Sequence, residues 1–171
     1  WSRELHAQMN DLLTQSGAKV VGNTVFFSEP QIDRGYRYIS RLSEMIDPVL
    51  HDSAEAPPVL ISVAEVLVEA ERVLNTDRQL AESYEKSARV ALPLLFELGA
   101  AHGRPDGALP DFVAAAQLPR IQAGLGTALP ARQVQFPVPL LGSKAVALGH
   151  LNADIDVDGS VRSEPLVVQY F

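Results

Sequence analysis

Asp154, Asp156 and Asp158 stand at alternate positions ahead of Gly159, the densest set of metal-type ligands in the chain. A calcium loop takes oxygen ligands at odd positions from the first to the ninth, a glycine at the sixth and a bidentate glutamate at the twelfth. Counted from Asp154, the third, fifth and sixth positions are met by Asp156, Asp158 and Gly159. The twelfth is Pro165, Glu164 falls one residue early, and Arg162 puts a cation at the ninth. The same residues also read as a strand. Leu151, Ala153, Ile155 and Val157 alternate with His150, Asn152 and the aspartates, the period of a half-buried strand. A three-residue turn over 157–159, with Gly159 in the left-handed conformation, would set Ile155 opposite Val161 and Arg162 opposite Asp154. The strand and hairpin reading is favoured; a calcium-binding module is the alternative.

Other chemistry is sparse. His6, His51, His102 and His150 are far apart, without HxH or HxxxH spacing, and read as surface, loop and strand-face residues. No G-x-S-x-G elbow is present, and AGLGTA (123–128) lacks phosphate-loop spacing. A small α/β hydrolase or transferase therefore has no cluster of titratable residues to rest on. Arg3 is a cation in a first helical turn, a mildly unfavourable place; it reads first as an ordinary solvated arginine, with a carboxylate or an anionic ligand beside it as the alternative. Asp77 and Arg78 read as a helix-start acid and a surface base, with Asn75 or Thr76 as the cap.

These residues need elements to hold them. Ser2 to Ser16 carries Leu5, Met9, Leu12 and Leu13 on one helical face, with Ser2 as N-cap and Gly17 beyond the end. AKVVGNTVFF (18–27) reads as a central strand, apolar on both faces. Residues 32–46 are helical by the spacing of Ile32, Tyr36, Ile39, Leu42 and Ile46, with Tyr38 and the charges elsewhere, and 47–58 is a loop by its Pro, Asp and Ser content. A helix runs from Leu60 to about Ser87, broken near Asn75. RVALPLLFELG (89–99) is a second strand in which Pro93 asks for an edge, a bulge or an early end. Residues 111–135 are weakly patterned, and 138–146 could form a short helix before the final strands. The fold class is mixed α/β: a central sheet of four or five strands with helices packed on it, closing in a β-hairpin.

Composition sets bounds. The 171 residues, 47% hydrophobic, suffice for one core and are expected to form one domain, 1–171. A net charge of −7 and scattered basic residues give no nucleic-acid footprint. Without cysteine there is no disulfide, thiolate metal site or cysteine nucleophile. A start at Trp1 and a stop within PLVVQYF read as a piece of a larger protein, with no segment long and apolar enough to span a membrane.

The order of motifs resembles the CHASE sensory domains of the second type. GHLNADIDVDGSVRSEPL is similar to the closing signature of that family, through Gly149, His150, Asn152, Asp156, Asp158, Gly159, Arg162, Pro165 and Leu166. WSR resembles its Trp-Pro-Arg opening, with Ser2 in place of proline. SGAKVVGNTVFFSEP resembles its Gly-Ala-Lys strand, and LNTDRQLAES followed by VALPLLF its Asp-x-x-Leu-Ala helix and Val-x-Leu-Pro strand. The chain departs at Asn23, where the family often carries an aspartate, and it stops earlier than the family's domain usually does.

The resemblance implies a non-catalytic, extracytoplasmic sensor on the outer side of the bacterial inner membrane. Its partners would be its own membrane helices, a cytoplasmic output module (histidine kinase, nucleotide or diguanylate cyclase, or protein kinase) and an unknown small-molecule or physical stimulus. A homodimer is expected in the intact receptor, and no cofactor, metal or nucleic acid is called for. Ligand-binding candidates are Arg3, Asn23, Asn152, Asp154 and Arg162.

Overall fold

The first helix, α1 (Arg3–Gln15), begins where the sequence places it. The Ser2 hydroxyl accepts from the Leu5 amide, and Gly17 takes φ +86° just past the end. In this computed structural model the described residues are 1–31, 33–52, 57–100, 108–118 and 128–170. His102, Ile32 and most of AGLGTA therefore lie outside the described residues.

The buried side of α1 is not the expected one. Ala7 and Asn10 face inward, while Leu5, Met9, Leu12 and Leu13 are exposed. Its partner is α4 (Thr76–Ser87), whose facing surface is small and polar. The Asn10 amide donates to Ser83 Oγ at 2.8 Å and to Ser87 Oγ, and Ser83 Oγ donates to Asp11 at 2.7 Å. Small hydroxyls let two helix backbones approach closely, and the leucine stripe is left exposed.

Between α1 and α4 lie β1 (Val21–Gly22), α2 (Arg34–Asp52) and α3 (Pro58–Leu74). The expected central strand over 18–27 is reduced to two laddered residues at a sheet edge, with Val25 and Phe26 exposed and Phe27 buried. Asn23 ends it: its Oδ1 accepts from the Val25 amide at 2.8 Å, a local bond that competes with the ladder. Helix α2 continues past the expected stop, through Pro48 to Asp52, because α3 packs along its length. The break at Asn75 is as expected. This one residue caps both the end of α3 and the start of α4, its Oδ1 accepting from the Arg78 amide.

Strand β2 (Val90–Leu98) is the spine of a mixed, curled five-strand sheet. It pairs in parallel with β1 and β4 (Ala147–His150) and antiparallel with β3 (Leu129–Gln135), which in turn carries β7 (Val168–Tyr170) in parallel. Pro93 neither ends the strand nor sits on its outer edge. Even-numbered residues of β2 turn their backbone groups to β4, since Val90 O and Leu94 O accept from Val146 and Leu151. Odd-numbered ones turn to the other side, where Ala91 O accepts from Asn23 and the Gly99 amide donates to Pro130 O. Pro93 thus falls in the gap between the end of β1 and the start of β3, where no donor is needed. Short helices α5 (Asp111–Ala114) and α6 (Pro139–Gly142) precede β3 and β4. The core joins Phe27, Leu80 and Tyr84 to Val90, Leu92 and Leu141.

The hairpin is β5 (Asp154–Ile155) and β6 (Val161–Ser163), and it does not close the chain, which returns to the main sheet as β7. The turn is as expected: Ile155 pairs with Val161, Asp156 N donates to Ser160 O, and Gly159 has φ +80°. Asp154 faces Ser163 instead of Arg162, because a bulge makes Arg162 the extra residue. Ile155, Val157 and Val161 are exposed, so the alternation marks a projecting ribbon and not a half-buried strand.

Candidate functional site

Arg3 and Asp77, each considered singly in the sequence, meet across α1 and α4. Arg3 Nε donates to Asp77 Oδ1 at 2.7 Å, with the two side chains 12% and 9% exposed. Asp77 Oδ2 accepts from the Gln31 amide at 2.7 Å. Arg3 also donates through Nη2 to the Glu29 carbonyl at 2.6 Å, and through its backbone amide to Gln31 Oε1 at 2.8 Å. Its guanidinium lies 4.2 Å from the centre of the Phe27 ring. An arginine is thus held by a carboxylate, a carbonyl and an aromatic face, and an unfavourable helix-start cation is neutralised by a helix-start acid.

The sequence supplies this lock from three separated motifs: WSR gives Arg3, FFSEP gives Phe27 and Glu29, and NTDRQLAES gives Asp77. That each motif would hold one member of a single cluster is the signal that reading the motifs one by one misses. His6, one turn along α1, packs edge-on against Phe27 with centroids 5.2 Å apart. Burial, together with the Arg3 charge, lowers its pKa below the usual value. Two open clefts flank the lock. One, of about 360 Å³, runs past Ser28, Pro30 and Asp77 to Phe136, Val138 and Leu140. The other exposes Trp1, Arg3, Phe26 and Gln31.

The remaining sequence candidates do not join this cluster. Asn23 donates to the Tyr84 hydroxyl at 3.1 Å, and burial pushes that phenol up to about 12. Asn152 extends the sheet beyond β4 with its side chain, accepting from Phe96 N at 3.0 Å and donating to Phe96 O at 2.6 Å. Asp154 stands in the hairpin ladder. Arg162 reaches back to Asp156 at 2.6 Å and forks onto Asp158, whose pKa that bond lowers. Its guanidinium occupies the position a calcium ion would need between these carboxylates, and among the described residues no metal-type cluster is found.

Comparison with known families decides the class. The family model described as the CHASE2 domain matches residues 1–171. The chain belongs to the CHASE2 family. No curated protein and no solved structure matches it. CHASE2 domains are extracytoplasmic sensory domains, generally non-catalytic. In the described residues of this CHASE2 domain no helix is long and apolar enough to cross a membrane.

Proposed function

We propose that this CHASE2 domain is the sensing unit of a bacterial membrane receptor, and that the Arg3–Asp77 lock couples its state to a cytoplasmic output module. The module would be a histidine kinase, a nucleotide or diguanylate cyclase, or a protein kinase. The observation that carries the reading is the lock itself, which ties the first turn of α1 to α4 and the sheet. Helices α1 and α4 run parallel, Arg3 meeting Asp77 and Asn10 meeting Ser87. The segment from β1 to Phe27 runs back along α1, parallel to β2. The start of α1 therefore shares an end of the molecule with the C-terminal half of β2, where Tyr170 also lies through its pairing with Ala131. Two connections to membrane segments could leave from that end together.

A ligand presenting a cationic or donor group in the cleft beside Asp77 would compete with Arg3 and release α1. A stimulus can shift a two-state element only by its differential affinity for the two states. A buried ion pair with a competing site next to it provides that difference. The sidedness is tested in cells carrying the full-length receptor. A cysteine placed at fully exposed Val157, Val157→Cys, should react with a membrane-impermeant thiol reagent without lysis. Labelling that requires lysis would refute the reading.

A further inference from the structure

Helices α2 and α3 form an antiparallel hairpin whose two ends meet at Gly35 and Leu74, and the Asn75 amide bonds the Tyr36 hydroxyl at 3.2 Å. Seen from the start of α2, residues advance clockwise along α2 and counterclockwise along α3. This sense places Leu42, Met45 and Val49 on the same side of the hairpin as Val59, Val66 and Val73. All six are exposed. With 19 residues in α2, the face is about 28 Å long and about 20 Å across, on the order of 600 Å². That approaches the roughly 800 Å² each partner contributes to a stable interface. A face of this size lies at the upper end of what monomers leave uncovered.

The edges of the face have opposite charge. Arg34, Arg37 and Arg41 run along the outer side of α2, where they line a surface cleft with Tyr38, and none is paired with a carboxylate among the described residues. Glu65 and Glu69 run along the outer side of α3, both exposed; Arg72, one turn on, forks onto Glu69, so the acidic character of this edge rests chiefly on Glu65. A second copy can cover the face with a two-fold axis in two ways. An axis across the helices sets arginine edge on arginine edge. An axis parallel to them sets α2 of one copy on α3 of the other, and arginine edge on glutamate edge. In that arrangement Arg41 lies about 9 Å from the end of the hairpin that α2 starts, between Glu69 at about 8 Å and Glu65 at about 14 Å in the partner.

We propose that this face is a self-association surface, on which two copies form a four-helix bundle about a two-fold axis parallel to α2 and α3. The exposed stripe on α1 lacks this complementarity, since Glu4 and Asp11 flank it and a second copy would bring acid to acid. The proposal rests on the α2–α3 hairpin alone and stands or falls apart from the sensory coupling described above.

Sedimentation of the chain in solution tests it. The native chain should dimerise in the micromolar range, and less tightly as salt rises. Arg37→Glu/Arg41→Glu and Glu65→Arg/Glu69→Arg should each weaken the dimer by on the order of a hundredfold, because each brings like charges together. An equimolar mixture of the two variants should dimerise again, since each then faces its complement. Should either double reversal lose the native circular-dichroism spectrum, Arg41→Ala and Glu69→Ala serve, each expected to weaken the native dimer several-fold. A native chain that stays monomeric overturns the proposal, as do folded variants that dimerise like the native chain or fail to complement. Binding of a monomeric chain to anionic phosphatidylglycerol vesicles, lost in Arg37→Glu/Arg41→Glu, would assign the face to a membrane and equally overturn it.

Discussion

Replacing Asp77 with asparagine keeps the shape of the lock and removes its charge. Arg3 would remain at 12% exposure without a counter-charge, which costs about 3 kcal/mol when a buried pair loses one member. Asp77→Asn should therefore shift the denaturant midpoint of the chain downward at unchanged slope, and Arg3→Met should do the same. His6 adds a pH dependence. Its pKa is lowered in the folded chain, so the unfolded chain takes up the proton more readily as acid is added. Its contribution is fully present above the ordinary value of 6.5 and is lost as pH falls through the lowered folded value. Denaturation midpoints measured across that window should fall with acid, and the fall should be shallower in His6→Gln. At this scale the sequence favours a solvated Arg3, and the buried pair overturns that reading, because a contact between positions 3 and 77 leaves no local spacing to read. Arg162 bonds Asp156 and Asp158 and does not face Asp154 for a related reason: a bulge moves one residue out of register, and nothing in the alternation of VRSEP announces it.

Among the elements, caps and breaks were the most legible. Ser2, Gly17 and Asn75 act through their own backbone neighbourhood and sit where the sequence puts them. Buried faces were less so. In α1 the leucine stripe faces out and the Ala7–Asn10 side faces in, where Asn10 bonds Ser83 and Ser87. In α2 the packing of α3 carries the helix through Pro48. The packing of α5 on α6 rests on Gly142, where an added Cβ would overlap the Phe112 ring. Gly142→Ala should destabilise the chain by about 1–3 kcal/mol through overpacking, checked by thermal or denaturant unfolding. The β5–β6 ribbon gives a further expectation. With Arg162 forked onto Asp158 and bonded to Asp156, millimolar calcium should give no saturable heat and no change in melting temperature. Saturable binding abolished by Asp156→Ala would restore the calcium-loop reading.

For the whole molecule, the mixed α/β class and the family were legible because motif order survives where contacts are invisible. The sheet order was not. A nine-residue strand that changes neighbour at Pro93, and a final strand that returns past a hairpin to pair with β3, are products of long-range pairing. In the proposed reading the Arg3–Asp77 lock transmits the state of the domain, beyond merely stabilising it. Output activity of the full-length receptor in membranes tests this directly, comparing Asp77→Asn with Gly142→Ala at temperatures where both domains remain folded. Both substitutions lower stability, but only the first opens the lock. Asp77→Asn should shift basal output severalfold or uncouple it from the stimulus, while Gly142→Ala should leave output at the native level. Equal output from both variants would contradict it.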